Sequence, residues 1–258
     1  MKIAVLTENT SCSSAFSCEH GLSLYLETGG KKILFDTGQS PLFAENAEKL
    51  GVDLKAVDLA ILSHGHYDHG GGLSAFFEIN DKAPVYISRY AFDPHFNAQG
   101  KDIGLDPALK GNPRFILCGE ETVLSPQLSL FSCNEKPRLH AMSSAGMAAR
   151  IGGRMLPDDF RHEQYLLAEE NGKRILISGC SHKGILDIVD WFSPDILIGG
   201  FHFMRLPLDS VLSGYARELA ERGTKYYTCH CTGLEQYHYM QPYIPEMRYI
   251  STGMQIEV

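Results

Sequence analysis

Short apolar segments separated by turn residues recur along the chain, and their lengths and β-branched content indicate buried strands. The main strands are predicted at residues 2–6, 22–26, 31–35, 59–62, 84–87, 173–177, 196–198 and 225–228, and shorter ones near 115–117, 121–124, 128–132 and 138–142. Apolar positions at helical spacing predict helices at 42–50, from residue 73 and at 185–191. The pattern therefore predicts an α/β fold.

The two halves of the chain repeat one order of elements, which is visible in two pairs of segments. Residues 30–38 and 172–180 each begin at a glycine turn, continue as an apolar strand and end in a loop. Residues 58–64 and 195–202 each join an aspartate, an apolar strand and a histidine. Two such halves predict a four-layer αββα sandwich, in which strand ends from both halves converge on one cleft.

The segment at about 89–114 interrupts this periodicity with recurring prolines and glycines. It is predicted to be an inserted lid or cap on a single domain that spans residues 1–258. Side chains in and after it are candidates for contacts with an anionic substrate: Phe92, His95, Phe96, Arg150 and Arg154. For the first three, surface or packing roles are the alternative.

Composition limits the class of protein. With 44% apolar residues among 258, the chain can bury a sizeable core. A net charge of −8 without a clustered Lys/Arg stripe argues against a nucleic-acid surface. Residues 1–6 pass directly into polar positions and apolar runs stay short, so neither an export leader nor a membrane span is expected. Seven scattered cysteines form no disulfide framework, which predicts a cytoplasmic protein.

Metal-binding residue types concentrate directly after the predicted strand 59–62. His64 and His66 leave that strand with a spacing of two, so both can offer an imidazole nitrogen to one ion. Asp68 and His69 follow on a turn, where Asp68 adds the negative charge that a divalent cation needs. Three glycines then allow a tight change of direction. These residues predict a metal site.

The His-x-His-x-Asp-His pattern at residues 64–69 resembles the signature of the metallo-β-lactamase superfamily. The resemblance implies the αββα fold and two metal ions, with the first two histidines on one ion and the Asp68–His69 pair on the other. The diiron flavoprotein branch usually has glutamate at the position of His66, so this chain does not match it. Asp36 matches an acidic residue that supports a metal-bound histidine in the family; an ordinary turn aspartate is the alternative.

Two histidines compete to be the third ligand of the first ion. His182 lies in a turn between a predicted strand and a helix, and this rigid setting favours it. His162 has the upstream position that is commoner in the family. Cys180, where relatives carry aspartate or cysteine, is a further candidate ligand of the metals.

His230, at the end of the strand 225–228, matches the histidine that completes the second ion in the superfamily. Its neighbours Cys229 and Cys231 are expected to point away from it by strand alternation. His202 competes with it as a ligand, and otherwise fits a proton donor or a contact to an oxyanion or phosphate.

Motifs spread over nearly the whole chain, from Asn9 to Gly233, resemble the subgroup that includes the archaeal dihydropterin–ribofuranosylaminobenzene phosphate synthases. The expected function is a binuclear metal-dependent hydrolase that uses a metal-activated water on a small anionic substrate. Zinc suits imidazole-rich ligands, and iron or manganese are the alternatives. The first ion is assigned to His64, His66 and His182, the second to Asp68, His69 and His230, and catalysis to Asp68 and His202.

Two other functions fit the same fold. One is a ligand-binding or sensor protein that does not hydrolyse its ligand, and the other is a transferase like the dihydropterin phosphate synthases. A small molecule is the expected partner in every case, and the sequence does not determine the oligomeric state.

Overall fold

The computed structural model describes residues 1–140 and 146–258. Within them the strands are β1 (Lys2–Thr7), β2 (Ser23–Thr28), β3 (Lys31–Phe35), β4 (Leu59–Ile61), β5 (Val85–Ser88), β6 (His95–Phe96), β7 (Phe115–Cys118), β8 (Glu121–Ser125), β9 (Leu128–Phe131), β10 (Ala148–Ile151), β11 (Arg154–Pro157), β12 (Tyr165–Glu170), β13 (Lys173–Ile177), β14 (Ile196–Gly199), β15 (Lys225–Thr228), β16 (Arg248–Tyr249) and β17 (Gln255–Glu257). The helices are α1 (Leu42–Lys49), α2 (Tyr67–Gly70), α3 (Leu73–Ile79), α4 (Ile185–Phe192), α5 (Ser210–Glu221) and α6 (Leu234–Met240).

Two seven-stranded sheets pack face to face. Their strand orders are β17-β1-β2-β3-β4-β5-β7 and β16-β15-β14-β13-β12-β9-β8. Apolar side chains of both sheets meet between them, among them Leu24 and Phe35 of the first and Leu166 and Ile198 of the second. Helices α1 and α3 cover the outer face of the first sheet, and α4, α5 and α6 cover that of the second. The predicted four-layer αββα sandwich is confirmed.

The repeated order of elements is also a repeated geometry. Each half has an antiparallel hairpin, β2–β3 or β12–β13, which turns through two residues of positive φ. The next strand, β4 or β14, pairs in parallel with the second hairpin strand. An aspartate fixes this register in each half, because Asp58 accepts the Lys32 N–H at 2.8 Å and Asp195 accepts the Arg174 N–H at 2.7 Å. The parallel strands of both sheets end at the same cleft.

Some elements of the structure differ from the prediction. Residues 138–140 belong to no strand, and the last two residues of the strand predicted at 138–142 lie outside the described residues. Helix α5 was not predicted, although Asp209 before it accepts the N–H groups of Val211 and Leu212 as an N-terminal cap. Within the described part of the chain, no helix combines the length and apolar character needed to cross a bilayer.

Residues 89–114 connect β5 to β7 and contain β6, which pairs with β10 in a small sheet completed by β11. Gly65 of the histidine motif packs directly against the start of this segment, because a Cβ on Gly65 would lie 2.2 Å from the carbonyl oxygen of Ala91. That the segment acts as a lid on a single domain stays a prediction.

The inter-sheet core gives a test of the architecture. Replacing the fully buried Leu24 by alanine should lower the free energy of unfolding by about 2–5 kcal/mol, because it leaves a cavity between the sheets. Leu117→Ala is the matched control on edge strand β7, where Leu117 is 63% exposed and the expected change is below about 0.5 kcal/mol. Urea denaturation measures both, and equal effects would contradict this core.

Candidate metal centre

The candidate site lies where the parallel strands end. The loops after β3, β4, β13, β14 and β15 carry the predicted site residues, namely Asp36, His64 to His69, Cys180, His182, His202 and His230. Four residues of these loops other than glycine adopt positive φ, between 49° and 60°: Asp36, Ser181, His202 and His230. Such backbone is uncommon in residues other than glycine and is typical of functional sites that the surrounding fold holds in place.

His64 and His182 face one another at the first group. The Ser63 hydroxyl donates its only proton to Asp36 Oδ2 at 2.7 Å, so it accepts the Nδ1–H of His64 at 2.8 Å. His64 Nε2 is therefore unprotonated, and it lies 3.3 Å from His182 Nε2. A nitrogen of His66 completes this buried group.

His69 and His230 form the second group. Asp36 Oδ2 accepts His69 Nδ1–H at 2.7 Å, which is the contact that the sequence resemblance implied for Asp36. Asn9 Oδ1 accepts His230 Nδ1–H at 2.8 Å, and the Gly21 N–H donates to the same oxygen, which fixes the orientation of the amide. When both rings are neutral, neither Nε2 atom carries a proton, and the two atoms lie 3.2 Å apart.

The second group is arranged for a cation. Two unprotonated nitrogens repel one another at 3.2 Å, and Asp68 Oδ2 lies 3.8 Å and 3.4 Å from the Nε2 atoms of His69 and His230. Ligand atoms bound at 2.0–2.1 Å around a tetrahedral ion are separated by about 3.3 Å. The spacing of these donors therefore fits a divalent metal ion, as does the 3.3 Å pair of His64 and His182.

Two cysteines join the two groups from the second half of the chain. Cys180 Sγ lies 3.2 Å from His69 Nε2, and Cys231 Sγ lies within the group formed by Cys180 and His230. The expectation that both flanking cysteines point away from His230 is right for Cys229, which packs in the inter-sheet core. It is wrong for Cys231, because His230 begins a 3-10 turn instead of continuing the strand.

The structure separates the two histidines that compete for the third position. His162 Nδ1 accepts the N–H of Gly65 at 2.8 Å, so its ring proton is on Nε2, which lies 3.4 Å from Asp158 Oδ2. His162 thus has no unprotonated nitrogen to offer. The geometry favours His182, whose Nε2 faces His64.

Three residues near these groups were not predicted as residues of the metal site. His20 Nε2, at the rim, lies 3.3 Å from Asp68 Oδ2. His95 and Asp158 form a buried pair behind His66, with His95 Nδ1 donating to Asp158 at 2.9 Å. The sequence placed His95 in the predicted lid, but nothing in the spacing signalled that Asp158 approaches it.

A cavity of about 570 Å³ opens beside the two groups. Asp68, Cys180, His182 and His202 line its polar side. Its other walls are mainly apolar and aromatic, and are formed by Tyr67, Ile103, Met147, Met204, Leu206 and Tyr215. Arg205 also lines it, whereas Arg150 packs over the Phe96 ring and Arg154 is exposed on β11.

A sequence model of the metallo-β-lactamase superfamily matches residues 17–200. The chain belongs to this superfamily. Its likeness to two proteins of Methanocaldococcus jannaschii extends over most of both chains. The uncharacterised protein MJ0448 is 29% identical over 90% of this chain and 91% of its own. The 7,8-dihydropterin-6-methyl-4-(β-D-ribofuranosyl)-aminobenzene-5'-phosphate synthase is 30% identical over 91% of this chain and 88% of its own.

Solved structures agree with this membership. Tm1679, described as a metal-dependent hydrolase of the β-lactamase superfamily, superposes with a TM-score of 0.86 at 27% identity over 100% of this chain and 99% of its own. YhfI from Bacillus subtilis, with a TM-score of 0.59 at 14% identity over 100% and 99%, shares the fold. The superfamily fold implies binding of divalent metal, and the donor groups above fit that expectation.

The pKa shifts of the site residues distinguish His69 from its neighbours. Burial lowers the pKa of His64, His66 and His182 well below the ordinary value. Burial also opposes protonation of His69, but Asp36 and Asp68 outweigh it and raise its pKa. For Asp68, burial disfavours the charge, but His69, His20 and His230 hold its pKa well below the usual range. A positive charge is thus favoured between Asp68 and His69.

The same shifts predict how stability depends on pH in metal-free protein. Burial lowers the pKa of His162, His202 and His230 to about 4, so the folded chain stays unprotonated where unfolded histidines, with a pKa near 6.5, bind protons. The free energy of unfolding should therefore fall as the pH drops from about 7 to 5. Urea titrations in chelator measure it, and His202→Asn should give a shallower slope. A flat profile would contradict these shifts.

Proposed function

We propose that this protein is a binuclear metal-dependent hydrolase of a small anionic substrate. The first ion is assigned to His64, His66 and His182, and the second to Asp68, His69 and His230, with Cys180 as a further ligand between them. The observation that carries the proposal is the pair of unprotonated Nε2 atoms of His69 and His230, held 3.2 Å apart beside a carboxylate. Neutral rings in this arrangement need a metal ion or an added proton between them.

Two bound divalent ions would supply a water of lowered pKa and would polarise the bond to be cleaved. The chain's own residues orient the reaction around them. Asp68 keeps its negative charge at neutral pH, because the surrounding histidines outweigh the effect of burial. Imidazole-rich groups with a nearby thiol favour zinc over the harder cations, and iron or manganese are the alternatives.

His202 has a distinct role in this proposal. It lines the cavity, and burial together with Arg205 lowers its pKa to about 4, so the ring is neutral at neutral pH. A neutral imidazole is a poor acid but a good hydrogen-bond donor. His202 is therefore assigned to hydrogen-bond the oxyanion that develops during hydrolysis.

The cavity supports a small anionic substrate with an apolar body. Arg205 supplies a positive charge in the lining, and the aromatic rings of Tyr67 and Tyr215 line the space for the remainder of the molecule. Its volume of about 570 Å³ is that of a small-molecule site. A macromolecular substrate is not required by this shape.

Metal content and hydrolysis test the proposal together. Protein purified without chelator should contain about two ions per chain and hydrolyse p-nitrophenyl phosphate or bis(p-nitrophenyl) phosphate. His230→Ala should lose about one ion per chain and lower hydrolysis by at least about 100-fold, because one Lewis acid is removed. His238→Ala, an exposed histidine of α6, is the matched control and should change neither value. Parent protein without metal would refute the proposal.

Substrate charge recognition is tested at Arg205. Arg205→Ala should raise KM for an anionic ester by about 10-fold or more, with a smaller change in kcat, because a charge-assisted hydrogen bond in the bound state is lost. Arg154→Ala removes an exposed arginine outside the cavity and should leave KM unchanged. Equal effects of both substitutions would show that general charge, and not the cavity, sets affinity.

Group transfer is the second candidate function, because the synthase relative is 30% identical over 91% of this chain. Hydrolysis in ¹⁸O-water distinguishes the two: a hydrolase incorporates the label into its product, whereas a transferase passes the group to an organic acceptor. Metal binding with saturable ligand affinity but without turnover would favour the binding or sensor protein.

A further inference from the structure

A second buried histidine cluster lies behind the candidate metal centre. It contains His66, His95, Asp158 and His162, which are at most 5% exposed and have donor atoms within 4.8 Å of one another. His95 belongs to β6 in the segment 89–114, and Asp158 directly follows β11. Only His66 of these belongs to the superfamily motif, so the cluster joins that motif to the small sheet.

Asp158 fixes the protonation of His95. Its Oδ1 accepts the N–H of Phe160 at 2.7 Å, and its Oδ2 accepts the Nδ1–H of His95 at 2.9 Å. A neutral imidazole has one ring proton, so His95 Nε2 is left as an acceptor. This atom is buried and has no hydrogen-bond partner among residues 1–140 and 146–258.

His66 presents the complementary group. Its Nε2 is also buried and lacks a hydrogen-bond partner in the described part of the chain. When His66 binds an ion through Nδ1, its ring proton is on Nε2, which becomes a buried donor. The centroids of the His66 and His95 rings are 5.5 Å apart, and the donor atoms of the cluster lie within 4.8 Å of one another, a separation that one bridging water spans.

A further metal ion does not suit this cluster. His162 Nδ1 is occupied by the Gly65 N–H, so its Nε2 keeps the ring proton and faces Asp158 at 3.4 Å. His95 Nδ1 is likewise protonated toward Asp158. The cluster therefore offers too few unprotonated nitrogens to hold an ion, and hydrogen bonding is its natural use.

We propose that His95 is a positioning residue for His66: its Nε2 accepts a hydrogen bond from the His66 ring N–H, directly or through one bridging water, and Asp158 holds His95 in the tautomer that makes this possible. The inference rests on the proposed metal-binding role of His66. It assigns to the segment 89–114 a direct part in the metal centre. A partner of this kind typically changes metal affinity by about 10–100-fold, because it fixes the tautomer and orientation of the ligand.

Cobalt(II) binding to the protein of residues 1–258 tests the proposal. His95→Leu removes the acceptor and should weaken Co²⁺ binding by about 10-fold or more and alter the visible absorption of the bound ion. His95→Gln keeps an acceptor oxygen in that position and should recover most of the affinity. His140→Leu is the matched control, because His140 forms a His–Asp pair of the same 2.9 Å length on the surface, with Asp190.

Proton NMR of the zinc-loaded protein gives an independent readout. A slowly exchanging ring N–H of His66 Nε2 should be present in the parent and in His95→Gln, and should disappear in His95→Leu. If His95→Leu and His95→Gln lower thermal stability equally while Co²⁺ affinity, spectrum and this resonance stay as in the parent, His95 is only a packing residue and the inference is wrong. If the parent itself binds no Co²⁺, the proposed function fails first.

Discussion

When both rings are neutral, the Nε2 atoms of His69 and His230 repel one another 3.2 Å apart in a buried site, and this contact is the constraint on which the candidate centre depends. Neither ring can relieve the repulsion by turning, because Asp36 and Asn9 hold the opposite nitrogens by hydrogen bonds. A proton or a metal ion must therefore lie between them. In metal-free protein Asp36 and Asp68 raise the pKa of His69, which burial alone would have lowered, so protonation of this ring is favoured.

The double-sheet fold makes this arrangement possible. His69 follows β4 of the first sheet, while His230 follows β15 of the second. Apolar side chains packed between the two sheets hold them together. Glu8 strengthens the junction, because its carboxylate accepts the N–H of His230 and the hydroxyl of Tyr249. The donors thus converge only when both halves are folded and packed, and metal binding is coupled to the tertiary structure.

Many of the strands could be predicted from local sequence. The bounds of β3 and β15 agree with the strands predicted at 31–35 and 225–228, because a buried strand requires a run of apolar residues in its own sequence. The contacts of Asp158 and the exclusion of His162 could not be predicted, because both depend on hydrogen bonds between distant segments. A single backbone N–H, that of Gly65, occupies the nitrogen that His162 would need. Spacing along the chain contains no information about such a contact.

The turn that carries Cys180 and His182 illustrates how such contacts set the position of a ligand. Glu163 Oε1 accepts the N–H of His182 at 2.7 Å, and its Oε2 accepts the N–H of Lys183 and the hydroxyl of Tyr165. Glu163 is adjacent to His162 in the chain, so one short segment occupies a ring nitrogen of one candidate histidine and positions the other. The difference between the two histidines therefore follows from the side-chain contacts of residues 162 and 163, and the family motif alone does not predict it.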